Sequence, residues 1–210
     1  HHLTRFIAAR QKPIVIPSTR ENIMTSPSDL HVLSRQGLPE PVRSRLIALP
    51  RHEWREHENY LISNARPLQR NHNSLKRQAR HYHAGLEQVL NLRESAGADK
   101  DRLVEVARIG KSLLRNLHSH HGFEDSSVFP VLRRAHPRLT AGFDLLEQDH
   151  EVLEVSLKEL GSTLRVFAEE KPATQAIAHA HTQAGTLARL LHRHMDDEEE
   201  IIMPIYLLYM

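Results

Sequence analysis

Leu117-His118-Ser119-His120-His121-Gly122-Phe123-Glu124, closing at Pro130, and Leu191-His192-Arg193-His194-Met195-Asp196-Asp197-Glu198, closing at Pro204, are two copies of one pattern set 74 positions apart. A His and a Glu four apart share one face of an α-helix, about one turn from each other. An imidazole nitrogen and a carboxylate oxygen offered side by side suit a first-row metal such as iron. Two copies at matching offsets, each inside an apolar helical pattern, predict a metal site built on a duplicated helix pair.

Outward from these motifs, apolar residues recur at alternating three- and four-residue steps, the period of amphipathic helices. The first stretch, near residues 67–94, carries Leu68, His72, Leu75, Ala79, Tyr82, Leu86 and Leu90. The second runs to about Arg134 with Leu103, Gly110, Leu113, Leu117, His120, Glu124 and Val128, and Ala135-His136-Pro137 ends it. The third holds Phe143, Leu146, His150, Leu153, Leu157, Leu160 and Leu164 and stops before Pro172. The fourth holds Leu187, Leu191, His194, Glu198, Ile201 and Ile205. Residues 95–99 break the first from the second, with Asp99 as an N-cap. Short connections predict an all-α, antiparallel up-down-up-down four-helix bundle over residues 65–210. Residues 38–64, punctuated by Pro39, Pro41 and Pro50, read as a short helical extension capping the bundle, with Trp54, Leu61 and Ala65 continuing the first stripe backward. Residues 1–37, with Pro13, Pro17 and Pro27 and no sustained period, read as disordered, or as a leader or tag segment.

Composition narrows the chemistry. Seventeen of 210 residues are His, and none is Cys, which excludes disulfides, thiolate metal sites and cysteine nucleophiles. No apolar run approaches the roughly 18 residues of a membrane span, so a cytoplasmic protein without membrane contact is expected. Residues 1–80 carry 14 Lys/Arg against 6 Asp/Glu, and residues 81–210 carry 14 against 20. The basic part is dilute and lacks interleaved aromatics, so nucleic acid is not an expected partner.

Burying an unpaired carboxylate is very costly, yet Glu124 and Glu198 fall on the core faces of the second and fourth helices. A buried His–Glu hydrogen-bonded pair would explain one such helix. Two of them, with a His on the stripe of each remaining helix, favour a metal cation as the counter-charge. The third helix offers His150. The first offers His72 or His83, which lie about 16 Å apart along the axis at 1.5 Å per residue. With turns near residues 97 and 172, His150 lies 22 residues before its turn, His194 22 after and His120 23 after, whereas His72 lies 25 before and His83 only 14. His72 is level with the others and is the preferred ligand. Glu154, four residues after His150 on the flank of its stripe, is read either as a seventh ligand or as a surface carboxylate. Asp125, Asp196, Asp197, Glu199 and Glu200 read as solvated faces, and His118 and His192 should point away from the core.

The order His72, His120, Glu124, His150, His194, Glu198 over about residues 60–207 resembles the hemerythrin-like HHE cation-binding family. The resemblance implies a non-haem pair of irons, oxo- or hydroxo- and carboxylate-bridged, with an open position for O2, peroxide or NO. Zinc or manganese would accept the same ligands. Oxygen-carrying hemerythrins place a second His where this chain has Glu154, and an Asp at the spacing of Glu199. An anionic oxygen in place of that imidazole favours ferric iron and so disfavours reversible O2 carriage. A ferritin-like bundle requires two Glu-x-x-His motifs, and only Glu147-x-x-His150 is present.

The leading expectation is a di-iron protein that binds O2 or reacts with peroxide or NO, possessing catalase-like or oxygen-binding activity. A second is an iron or oxygen sensor without catalysis, which predicts an ordered, exposed apolar patch on residues 38–63. A third is an oxygenase acting on an organic substrate, which predicts a sizeable pocket. An enzyme of either kind predicts an access route to the metals.

Overall fold

Helices form where the apolar stripes run. The computed structural model describes residues 31–94, 100–168 and 172–209, and regular structure among them is all helical. In chain order it forms a short α1 (Glu40–Arg43), 3-10 turns at Arg51–Glu53 and Glu58–Tyr60, then α2 (Ala65–Glu94) and α3 (Lys100–Phe123). A π-helical turn (Glu124–Val128), α4 (Phe129–Ala135), a 3-10 turn (Pro137–Leu139), α5 (Thr140–Val166) and α6 (Thr174–Tyr209) follow. The four long helices touch in a ring: α2 lies against α3 and α6, and α5 lies against the same two. No helix among the described residues is long and apolar enough to cross a membrane. The Asp99 N-cap expectation lies outside the described residues.

One difference from the sequence reading concerns the helices. The single helix expected to reach Arg134 is broken by the π-helical turn, in which the Phe129 N–H bonds the Glu124 carbonyl five residues back. Pro130 follows at once, and its ring would clash with the Ser126 carbonyl in a regular helix. A widened turn is one way to absorb that clash. α5 ends at Val166, before Pro172 as expected.

The core is in two apolar parts. One contains Leu75, Tyr82, Leu86, Leu113, Leu117, Leu153, Leu187 and Leu191. The other contains Trp54, Phe129, Leu132, Phe143, Leu146, Ile201 and Ile205. Three of the long helices, α2, α5 and α6, cross from one part to the other through their polar residues, as in Leu146–His150–Leu153 and Leu191–His194–Ile201, and α3 does so through the π-helical turn and α4 that follow it. A buried belt of imidazoles and carboxylates therefore divides the interior.

The segment before α2 packs more closely than expected. Residues 1–30 lie outside the described residues, but residues 31–37, grouped with them in the sequence reading, bury Val32 in the first apolar part and Arg35 in the belt. Leu38, Val42 and Trp54 enter the second part. The Trp54 indole N–H donates to the Leu49 carbonyl at 3.1 Å, and the Arg51 guanidinium lies 5.0 Å from the indole ring centre. The Asn59 amide ties the segment to α6 by donating to the Leu207 carbonyl at 2.7 Å. Leu61, expected on the buried stripe, is instead 66 % exposed, beside Ile62 at 81 %. The chain turns there before α2 begins at Ala65, so the helical period does not extend back to it.

Gly110 shows how tightly α3 is held. A Cβ built there would sit 2.7 Å from Tyr82 Cε2 and 2.9 Å from Leu164 Cδ2. Gly110→Ala gains about 1 kcal/mol of helix propensity, yet overpacking a filled core costs about 1–3 kcal/mol. A net loss of stability is expected, seen as a lower urea midpoint with an unchanged slope. A raised midpoint would mean that the α2–α3–α5 contact is loose.

Candidate metal centre

Six predicted residues converge in the belt. His72 on α2, His120 on α3, Glu124 in the π-helical turn, His150 on α5 and His194 and Glu198 on α6 are all buried. With His121 added, their ligand atoms form two groups, each within 4.8 Å of one another: His72, His120, Glu124 and Glu198, and then His121, His150 and His194. Metal–ligand bonds of about 2.0–2.2 Å are compatible with such spacings. His83 is elsewhere, stacked on His181 with ring centres 4.2 Å apart.

His121 was not anticipated. Its ring stacks on His150 with centres 4.2 Å apart and lies 5.5 Å from His120. A stripe drawn at three- and four-residue steps admits only one of two adjacent residues, and it chose His120. The doubled His-His, unusual next to a Glu, was the available signal. Glu154 is not brought to the site. Its carboxylate, 43 % exposed, pairs with His118 at 3.4 Å and Lys158 at 3.7 Å. His121 from α3 instead joins His150 and His194 in the second group, so no Glu154 oxygen tilts the site toward ferric iron.

Two carboxylates link the groups. Glu124 places Oε1 3.1 Å from His120 Nδ1 and Oε2 3.6 Å from His150 Nε2. Glu198 Oε2 lies 3.2 Å from His72 Nε2 and 3.8 Å from His194 Nε2. Burial normally demands hydrogen-bond partners, yet His72 Nε2, His120 Nε2, His121 Nε2, Glu124 Oε2 and both Glu198 carboxylate oxygens are buried without one. These atoms belong to residues of the two groups and form the kind of donor set that divalent or trivalent cations would satisfy, so the residues fit a metal.

Behind the histidines stand carboxylates: Glu199 and Asp125, which the sequence reading left in solvent, and Asp149, which it did not single out. Glu199 Oε1 lies 3.1 Å from His72 Nδ1, Asp149 Oδ2 lies 3.2 Å from His194 Nδ1, and Asp125 Oδ1 lies 2.8 Å from His150 Nδ1. Asp197 and Glu199 are buried, while Asp196 is half-buried against Lys76. Metal-ligating histidines usually donate their second ring N–H to such a carboxylate, which fixes the tautomer and raises basicity. Only Glu198 was placed inward because α6 was assigned one narrow stripe. α6 instead buries neighbours on both sides of it, since α2 and α5 both pack there.

The charges are strongly coupled. Burial opposes ionisation of Glu198, but the surrounding histidines, His72 foremost, hold its carboxyl below the usual range. Burial and the neighbouring Glu198 charge push Glu124 well above it. Burial would lower His72, and Glu198 and Glu199 more than offset that, raising it to about 9. Burial depresses His120 to about 3 and also lowers His121 and His194. Burial raises Asp149, and bonds from Arg35 and His194 bring it below its ordinary value.

A family model, the hemerythrin HHE cation-binding domain, matches residues 66–206. The chain belongs to this family. No curated protein and no solved structure gives a significant match. All seven converging residues, His121 included, fall inside the hemerythrin match, whereas Arg35 and Arg51 fall outside it. The family assignment implies cation binding, and the His/Glu cluster is a group that could hold the ion.

In the metal-free hemerythrin fold, stability is expected to peak near pH 6.5. Below that ordinary His value, the unfolded chain takes up protons that His120, His121 and His194 refuse in the fold, so stability falls with acidification. Above it, the stabilisation of charged His72 by Glu198 is lost as pH rises through about 9. Thermal midpoints of chelator-stripped protein across pH 5–9 test this; a midpoint rising steadily to pH 9 would show that the His72–Glu198 pair is not formed.

Proposed function

We propose that this chain is a non-haem di-iron protein that binds or turns over a small oxidant, namely O2, hydrogen peroxide or NO. The carrying observation is that Glu124 and Glu198 each contact a histidine of both ligand groups, as bridging carboxylates would. One metal alone would leave either the His121–His150–His194 group or the His72–His120 pair buried without a cation. The reading takes the four long helices as an antiparallel up-down-up-down bundle, which their ring of contacts supports.

Iron bound here would supply a Lewis acid and a redox centre. The chain's own residues fix its surroundings. Five imidazoles and two carboxylates make a nitrogen-rich set, so O2 binding stands beside peroxide turnover as an outcome. A pocket of about 260 Å³ reaches His120 and Glu124 from the surface between Pro67, Leu68, Phe123, Val128 and Tyr206. Its apolar walls suit a small, weakly polar ligand. Burial, with the Glu198 and Glu124 charges, pushes the Tyr206 phenol up to about 12, so it stays protonated and able to donate a hydrogen bond to a ligand in that pocket. A second pocket of about 320 Å³, lined by Asn71, Ser74, Gln78, Asn116 and Ser119, also reaches His120; drug-sized ligands occupy pockets of roughly 300–1,000 Å³, so the oxygenase reading on an organic substrate keeps that support. The sensor reading keeps one support, the adjacent exposed Leu61 and Ile62 on an ordered segment.

Metal content per chain on aerobically purified protein, with an optical spectrum and an oxygen-electrode trace on peroxide addition, tests the proposal. About two irons, near-ultraviolet absorption of a ferric pair and evolved O2 are expected, and Glu198→Ala should bind less iron. Bound iron inert to peroxide and O2 shifts the reading to sensing. Stoichiometric zinc, manganese, or no metal in a folded bundle overturns it.

A further inference from the structure

We infer that Arg35 and Arg51, from the segment before the family domain, are positioning residues of the metal centre, holding Asp149 and Glu199 against His194 and His72. The inference rests on the metal reading above and adds a role for residues 31–64. Arg35 donates from Nη1 to Asp149 Oδ1 at 2.8 Å, from Nη2 to Asp149 Oδ2, and from Nε to Asp197 Oδ2 at 2.8 Å. Its side chain and both carboxylates are almost fully buried. Asp149 in turn faces His194 Nδ1, leaving His194 Nε2 directed at Glu198 and His150. On the other side of the centre, Arg51 Nη2 lies 3.2 Å from Glu199 Oε2, and Glu199 faces His72 Nδ1. One arginine of the segment therefore stands behind a histidine of each ligand group.

A purely structural role does not account for this pattern. Arg35 lies between Val32, in one apolar part of the core, and Leu38, in the other. An apolar side chain there, with apolar residues in place of the two aspartates, would hold the segment at least as well, because buried ion pairs are rarely more stabilising than hydrophobic packing of similar volume. The carboxylate behind His150 supplies the contrast. Asp125 is 46 % exposed, water can screen it, and no arginine of the segment reaches it. Arginine is supplied where the supporting carboxylate is buried. Asp197 also has Arg193 on its own helix, at 3.0 Å from Nε, so the carboxylate that depends on Arg35 is Asp149.

Co2+ titration of the full chain, with chelator competition and the visible spectrum as readouts, tests the inference. Two equivalents are expected for the wild type. Arg35→Met should weaken one equivalent 10–100-fold, the range found for outer-shell partners of metal ligands, and change its spectrum. Asp149→Asn should do the same, and the double variant should be no worse than either, because both changes break one chain of contacts. Arg35→Lys should recover part of the affinity. Arg51→Met, at an exposed guanidinium, should weaken the other equivalent, by less because Lys76 also approaches Glu199 at 3.8 Å. Wild-type affinities in Arg35→Met and Arg51→Met overturn the inference, and so do additive losses in the double variant. If Arg35→Met alone fails to fold, the double variant, which removes both charges, is compared with Asp149→Asn: equal affinity supports the inference and a further loss overturns it. A wild type that takes up no Co2+ refutes the metal reading itself.

Discussion

Placing several charged or chargeable groups in the middle of a hydrophobic interior is the constraint on which the rest of this structure depends. Glu124, Glu198, Asp149, Asp197 and Glu199 are all buried, along with five imidazoles. Such groups are tolerated only when every charge has a partner and every polar atom a bond. The bundle meets that demand in two tiers. Atoms facing inward share a centre that fits a cation, and atoms facing outward find arginine, lysine or one another. The apolar core is consequently split, with each half packing well on its own and the belt joining them.

The two tiers differ in how legible they were. Stripe residues such as His72, His150 and His194 stood out because a polar side chain on an apolar face is anomalous, and the level of His72 against its turn separated it from His83. His121, Asp149, Asp197 and Glu199 did not stand out, since each lies beside a stripe residue and its burial depends on how neighbouring helices approach. That is tertiary information. Glu154 failed for the complementary reason: it repeats the motif's spacing, but its turn of α5 faces His118 and solvent. Arg35 was hidden in a stretch without period, where a single anchoring contact leaves no pattern to detect.

The adjacent His120 and His121 give α3 a divided task, one imidazole in each ligand group. The π-helical turn that follows carries Glu124 and brings Asp125 to His150, so one short stretch of chain contributes to both groups and to their support. α6 does likewise with His194, Asp197, Glu198 and Glu199. The duplicated motif thus marks the two helices that carry most of the polar belt, while α2 and α5 each contribute one histidine to it.

The Arg35 contacts also impose an order of assembly. They join residues 114 and 162 positions apart in the chain, among the longest separations in the molecule. Contacts of such separation close large loops and form late, after the locally connected helices have paired. α5 and α6 must already lie side by side before Asp149 and Asp197 present the two carboxylates that Arg35 grips. The segment is therefore a latch that closes over α5 and α6 once they are paired.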